Sequence, residues 1–147
     1  MKLNLGCGND YMEGYENADI SHDVRAESYY NVINGIPKPA NTYSEVIVNN
    51  VLTQIEKSND FLCVMNDLWK VTKPTGSIFI RVPYAMHECA FQDPFDNRRF
   101  TQETFTYMEH GHRRYEQYGK HYGFKPFKVQ LLSNNGRQME FKLQPIK

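Results

Sequence analysis

Asp19, in the stretch GYENADIS, follows Gly8, in KLNLGCGND, by only eleven positions. Each stretch is a short apolar run that ends in turn-forming or acidic residues, the pattern of a strand leading into a loop. Parallel neighbours joined over a sheet face ordinarily need a crossover of about a dozen residues, usually a helix. No full helix fits in this gap, so the first crossover is expected to be about one turn. Gly6 and Gly8 lack a Cβ, and the loop they form can bend sharply and bring main chain against a ligand.

Further apolar runs follow at 29–33 (YYNVI), 44–49 (SEVIVN) and 77–82 (SIFIRV), each bounded by Gly, Pro, Asn or Asp. Between the last two, Val51, Leu52, Ile55, Leu62, Met65, Leu68 and Trp69 recur at helical spacing, which predicts that 50–73 is mostly helix. The KPTG stretch at 73–76 should end that helix and turn the chain into the next strand. At the C-terminus, PFKVQLL, SNNG and RQMEFKLQ predict an antiparallel hairpin turning at Asn135-Gly136. The expected fold is α/β: a mostly parallel sheet that closes on an antiparallel pair, with reduced helical cover. A short helix is expected at 101–109.

Several classes fall away on composition and motif. With 40% hydrophobic and 23% charged residues the chain is neither disordered nor fibrous. No apolar run approaches the roughly 20 residues of a membrane span, so a cytoplasmic location is expected. Cys7, Cys63 and Cys89 form no CxxC pair and read as reduced thiols. Tyr11 stands where a dinucleotide-binding loop has its third glycine, and no GK[ST] follows as in a phosphate-binding loop. The dinucleotide fold also places its acid about 20 residues on. Asp19 nevertheless sits at a strand end, where a carboxylate accepts hydrogen bonds from both hydroxyls of a ribose.

Taken in order, LNLGCGN at 3–9, NADI at 17–20, IPKPANTYSEVIVNNVL at 36–52 and LWKVTKPTGSIFIRVP at 68–83 resemble a small class I S-adenosylmethionine-dependent methyltransferase of the type 11 kind. The resemblance covers about residues 2–83 and implies a Rossmann-like methyltransferase fold in one domain. In that domain 2–83 binds cofactor, 83–125 covers the sheet and meets substrate, and 126–147 forms the hairpin. It implies S-adenosylmethionine as cofactor, with Gly6, Cys7 and Gly8 giving backbone contacts to the methionine part and Asp19 clamping the ribose. Ile20 would border the adenine, Asn31 or Asn34 would read its amino group, and Asn49 and Asn50 would face the sulfonium. The chain departs from the pattern at Asn4, where the family has an acid, at Asp10 in place of a third glycine, and at Thr53-Gln54 in place of Glu-His.

Specificity then falls to PYAMHECAFQDPFDNRRF at 83–100, the loop after the fifth strand. His87 is the candidate base, since an imidazole titrates near neutral pH, and Asp93 would orient it or the substrate. Asp96 replaces a histidine that some relatives carry in a similar "DP.H" stretch. His110, His112 and His121 are too loosely spaced to read as a metal site, and no metal is expected. The implied activity is methyl transfer to a small-molecule or saccharide-like acceptor. One alternative is a degenerate relative that binds or scaffolds without catalysis.

A nucleic-acid methyltransferase is the other alternative, motivated by charge. Residues 98–147 carry 10 Lys and Arg against 4 Asp and Glu, whereas 1–97 carry 7 against 13. The lack of an NPPY-type tetrapeptide where VNNV stands argues against methylation of an adenine amino group. Because the short crossover leaves one sheet face thinly covered, a homodimer that covers it is expected.

Overall fold

From Val46 to Asn49 and along Gln138–Pro145, buried residues alternate with partly exposed ones. Successive strand side chains point to opposite faces, so this alternation marks a sheet with one face packed and the other open. The computed structural model describes residues 1–147 and contains seven strands. These are β1 (Lys2–Leu5), β2 (Glu16–Asp19), β3 (Ser28–Tyr29), β4 (Tyr43–Asn49), β5 (Thr72–Pro83), β6 (Phe127–Asn134) and β7 (Gln138–Pro145). Their order in the sheet is β3-β2-β1-β4-β5-β7-β6. The first five run parallel, and β7 is antiparallel to both β5 and β6. The expected mixed sheet with reduced helical cover is the observed one.

The packed face holds a single core. Leu3, Leu5, Val46, Val48, Ile78, Ile80, Val82, Phe141 and Leu143 are all buried there. Against them lie Phe61, Val64, Met65 and Leu68 of helix α1 (Ser58–Val71), together with Phe100, Phe105 and Met108 from the segment after β5. Phe100 stacks on Phe105 with centroids 5.6 Å apart, and Phe105 meets Phe141 at 4.7 Å. The aromatic-rich segment thus takes the place of helices over half the sheet, burying large side chains without regular structure.

The opposite face has no helix. Lys2 pairs with Glu45 and Arg81 with Glu140, while Lys142 lies over Phe79. At its β1–β2 end, the loop 6–15 replaces a crossover helix. Asn4 donates from Nδ2 to the Asp10 carbonyl at 2.8 Å and to Asn17 Oδ1 at 2.9 Å. Asn17 in turn donates to the Met12 and Tyr15 carbonyls and accepts from the Met12 N–H. Two buried amides therefore satisfy backbone groups that a helix would have satisfied internally.

Four local expectations are corrected. Of the 29–33 run only Tyr29 lies in a strand, the end of β3, because Asn31 Oδ1 accepts from the Ile33 N–H and starts a 3-10 turn at Val32–Asn34. The helix expected over 50–73 begins at Ser58, after a separate 3-10 turn at Leu52–Gln54. The expected helix at 101–109 is a 3-10 stretch, Thr104–Met108. The KPTG residues form a bulge rather than a preceding turn: Tyr43 pairs with Thr72 and Glu45 with Ser77, so 73–76 loop out of register.

Candidate functional site: a nucleoside-sized cavity and a polar bay

Sheet order reverses between β1 and β4, and ligands of open α/β sheets bind at such a switch point, outside the carboxyl ends of the strands. A cavity of about 490 Å³ lies there, reaching from the β2–β3 end across to the residues after β4. Its β2–β3 side is formed by Asp19, Ile20, Tyr30, Asn31, Val32 and Ile33, and its other side by Gly6, Gly8, Asn50, Val51, Gln54 and Ile55.

Asp19 is held rigidly at the rim. Its Oδ2 accepts from the Gly8 N–H at 2.8 Å and its Oδ1 from the Ser21 N–H at 2.9 Å. A carboxylate offers about four lone-pair directions, so one on each oxygen is left for a ligand. The Gly6 and Cys7 N–H groups both donate to the Ala18 carbonyl, at 2.7 and 3.1 Å. All three loop donors are thus consumed within the protein. What the loop presents to a ligand is its bare Cα surface and carbonyl oxygens rather than N–H groups.

The two glycines do different things. At Gly6 (φ +66°) an added Cβ would meet Val51 Cγ2 at 2.3 Å, whereas at Gly8 (φ +51°) it would meet nothing within 4 Å. Gly6 permits close packing of the loop on Val51; Gly8 permits the bend and leaves open space. Cys7 is buried, points at the Arg25 carbonyl and takes no part in the cavity wall. Burial, and then the Asp19 charge, pushes its thiol above the ordinary value, so it stays protonated.

Ile20 is exposed on the cavity wall. Of the alternatives Asn31 and Asn34, Asn31 lines the cavity and Asn34 does not. Asn31 Oδ1 is occupied by the Ile33 N–H, which leaves its Nδ2 to donate. Tyr30 was not singled out in the sequence. Its hydroxyl is buried without a partner, and burial, then the Glu16 and Asp67 charges, pushes the phenol well above its ordinary value. It serves as a neutral wall.

The Asn49-Asn50 pair divides between faces. Asn49 lies on the open side of the sheet, beside Ile47 and Phe79, away from the cavity. Asn50 takes a left-handed conformation (φ 55°), which turns the chain back over the carboxyl ends. Asn50 and Gln54 line both the cavity and a second hollow of about 490 Å³ between β4, β5 and β7. This bay is mostly polar: besides Pro83 and Cys89 it includes Gln92, Asp93, Asp96, Arg137 and Gln138.

His87 does not line the bay. Its Nδ1 accepts the Cys89 N–H at 3.0 Å, so in the neutral ring Nε2 carries the proton and neither nitrogen is free to take another. Asp93 does line it, with Oδ1 accepting from the Phe95 N–H and the other oxygen free. Asp96, Arg137 and Gln138 of the bay are not site candidates from the sequence; the Asp96 carboxylate has no protein partner, and its spacing in D-P-x-D is its only sequence signal. Three arginines after β5 are engaged elsewhere. Arg98 lies 4.3 Å over Phe61 and donates to the Ile55 carbonyl, Arg99 lies over Phe91, and Arg114 pairs with Glu103. No group of three or more His, Cys, Asp or Glu side chains is arranged to hold a metal ion.

No protein-family model matches the chain, and no curated protein sequence does. Solved structures do. A protein from Archaeoglobus fulgidus described as a SAM-dependent methyltransferase superposes with a TM-score of 0.66 at 13% identity, over 97% of this chain and 84% of that one. A second so described, from Aquifex aeolicus, gives 0.64 at 13%, over 99% and 81%. CalH, described as a trans-methyltransferase in complex with SAH, gives 0.62 at 17%, over 99% of this chain and 51% of that one. Both the strand order with its reversed hairpin and these full-length superpositions lead to one conclusion: the chain has the class I fold of S-adenosylmethionine-dependent methyltransferases.

Proposed function

We propose that the chain binds S-adenosylmethionine in the cavity across β1–β4 and transfers its methyl group to a small polar acceptor seated in the neighbouring bay. The observation that carries this is the Asp19 carboxylate, fixed by two backbone N–H groups at the cavity rim with one lone pair on each oxygen directed elsewhere. Two neighbouring ribose hydroxyls match that pair of acceptors, at roughly 1.5–3 kcal/mol for each hydrogen bond to a charged group. Ile20, Val32 and Ile33 give the apolar wall that a purine requires, and Asn31 Nδ2 is free to donate to a ring nitrogen.

When bound, the cofactor supplies an electrophilic methyl group on a positively charged sulfur. The protein's part is chiefly alignment, which in favourable cases lowers a barrier by about 7–11 kcal/mol. Asn50 and Gln54, on the boundary of the two hollows, hold the acceptor against the cavity. An oxygen or nitrogen nucleophile also loses a proton, and the free oxygens of Asp93 and Asp96 are placed in the bay to take it. We assign the base to this pair in preference to His87. A cytoplasmic homodimer remains part of the proposal, with Ile47, Phe79 and Leu132 as the apolar centre of the open face.

Calorimetry tests the cofactor assignment. S-adenosylhomocysteine should bind with micromolar affinity, and Asp19→Ala should remove the heat. Absence of binding to the unaltered chain overturns it.

A second function is favoured by one observation. The Gly6, Cys7 and Gly8 N–H groups are satisfied internally, which leaves the methionine carboxylate fewer donors, and Asn4 replaces an acid, which leaves the sulfonium less negative charge than the family pattern implies. A binding protein that holds the adenosyl part without catalysis fits this, and would give cofactor heat with no methylated product.

A further inference from the structure

A third hollow, of about 430 Å³, lies between the start of α1 and the aromatic-rich segment after β5. It shares no lining residue with the cofactor cavity or the polar bay. Its wall is largely aromatic. Phe61 and Phe124 meet edge to face with centroids 6.0 Å apart, and Tyr107, Tyr122 and Met108 stand around them.

The protein's own contacts fix this wall. Asn66 of α1 donates from Nδ2 to the Gly123 carbonyl and accepts from the Lys125 N–H, both at 2.9 Å, which holds Phe124 between them. Residues Tyr115–Gly119 form one π turn, a local form frequently found at functional sites. That turn lies so close to Tyr107 that a Cβ at Gly119 would stand 1.5 Å from the Tyr107 carbonyl oxygen. The helical turn that follows, Lys120–Tyr122, brings Tyr122 to the rim, where it is 59% exposed.

Arg98 is the only charged group on the wall, and no carboxylate lines it. Its guanidinium lies 4.3 Å over Phe61; Nε donates to the Ile55 carbonyl at 3.0 Å, and Nη2 reaches the Glu56 carbonyl only at 3.4 Å. Nη1 has no protein partner and is not buried. Arg98 forms no ion pair, and Glu103, next to Thr104 of the wall, is taken by Arg114. Burial pulls the Arg98 pKa below its ordinary value, with no neighbouring charge to offset it. The outer edge of a planar fork, laid on an aromatic ring, is thus open, and that fork matches the geometry of a carboxylate. A cation would be repelled here with no acid to receive it. An aliphatic chain would leave the guanidinium unanswered, and a phosphate dianion would meet one cation alone.

We propose that this hollow is a binding site for a small aromatic carboxylate, separate from the methyl-transfer centre. The ring packs among Phe61, Tyr107, Tyr122 and Phe124 in edge-to-face and offset contacts, and the carboxylate accepts from the Nη1–Nη2 edge of Arg98.

The test titrates the full chain, by amide NMR, with three matched probes: 4-hydroxybenzoate, 4-hydroxybenzamide and 4-hydroxycyclohexanecarboxylate. The first should bind at least about tenfold more tightly than the amide, a difference of about 1.4 kcal/mol, and more tightly than the saturated acid. Its shifts should centre on Phe61, Tyr107, Tyr122 and Phe124. Arg98→Gln should erase the preference for acid over amide. Because Arg98 also holds the Ile55 carbonyl, Tyr122→Ala provides a second variant at an exposed position; it should keep the thermal midpoint and weaken 4-hydroxybenzoate at least about fivefold. Equal binding of acid and amide, no binding at tens of millimolar, or an affinity unchanged in Tyr122→Ala overturns the proposal. Competition with S-adenosylhomocysteine, with shifts at Asp19 and Ile33, would put the acid in the cofactor cavity and overturn it as well. Binding at the aromatic wall in a chain that takes no S-adenosylhomocysteine removes the cofactor assignment and leaves this site standing.

Discussion

Asn4 on β1 and Asn17 on β2 face each other across the parallel ladder, and the amide of the first donates to the amide oxygen of the second at 2.9 Å. The same Asn4 nitrogen reaches the Asp10 carbonyl, so a single NH2 group pins the loop that stands in for a helix. The departure from the family's acid at this position thus has a structural cause: a carboxylate offers no donor, and here two acceptors wait for one.

Restoring the acid should therefore be harmful. Asn4→Asp would lose two buried hydrogen bonds and set a charge against two carbonyl-type oxygens, with a cost of about 2–4 kcal/mol. Urea unfolding of the variant checks this. A gain in cofactor affinity with unchanged stability would contradict it.

The two loop glycines should separate on substitution. Gly6→Ala drives a Cβ into Val51 Cγ2 and also requires a left-handed alanine, whereas Gly8→Ala meets only the conformational cost, about 1–2 kcal/mol. Thermal unfolding should place Gly6→Ala well below Gly8→Ala. Val51→Ala should recover part of the Gly6→Ala loss, since it removes the contacting methyl.

Acid stability should depend on Glu16. Burial raises its carboxyl, but hydrogen bonds from Ser28, Lys38 and Tyr43 outweigh that, and the net value lies below the ordinary 4.5. A carboxyl held lower in the folded state contributes stability that is fully present above the unfolded value and is lost as pH falls through the folded one. Glu16→Gln should cost about 2 kcal/mol at neutral pH, and wild type and variant should converge as pH drops from about 4.5 downward. A difference independent of pH would show that shape, not charge, matters at this position.

The frame of the fold was legible because it rests on local signals: five short apolar runs, a helical period and an Asn-Gly turn. Element ends were less so. The 29–33 run reads as strand, yet one Asn31 hydrogen bond diverts it into a turn, a choice that depends on a side-chain rotamer rather than on hydrophobic pattern. The walls of the polar bay were least accessible to sequence. Asp96, Arg137 and Gln138 meet only because the hairpin folds back beside β5, where Pro83 pairs with Gln138. His87 looked reactive from its residue type alone, and a single backbone N–H occupies the nitrogen it would use. Asp19 and Gly8 were visible from spacing, since few arrangements bring a strand end and a glycine bend together so soon in a chain.

A crystal of the chain soaked with S-adenosylhomocysteine measures the central claim directly. The account predicts both ribose hydroxyls on the Asp19 carboxylate, the purine against Ile20 and Ile33, and the sulfur near Asn50 and Gln54. Density for the ligand elsewhere, or a ribose that makes no contact with Asp19, would contradict it.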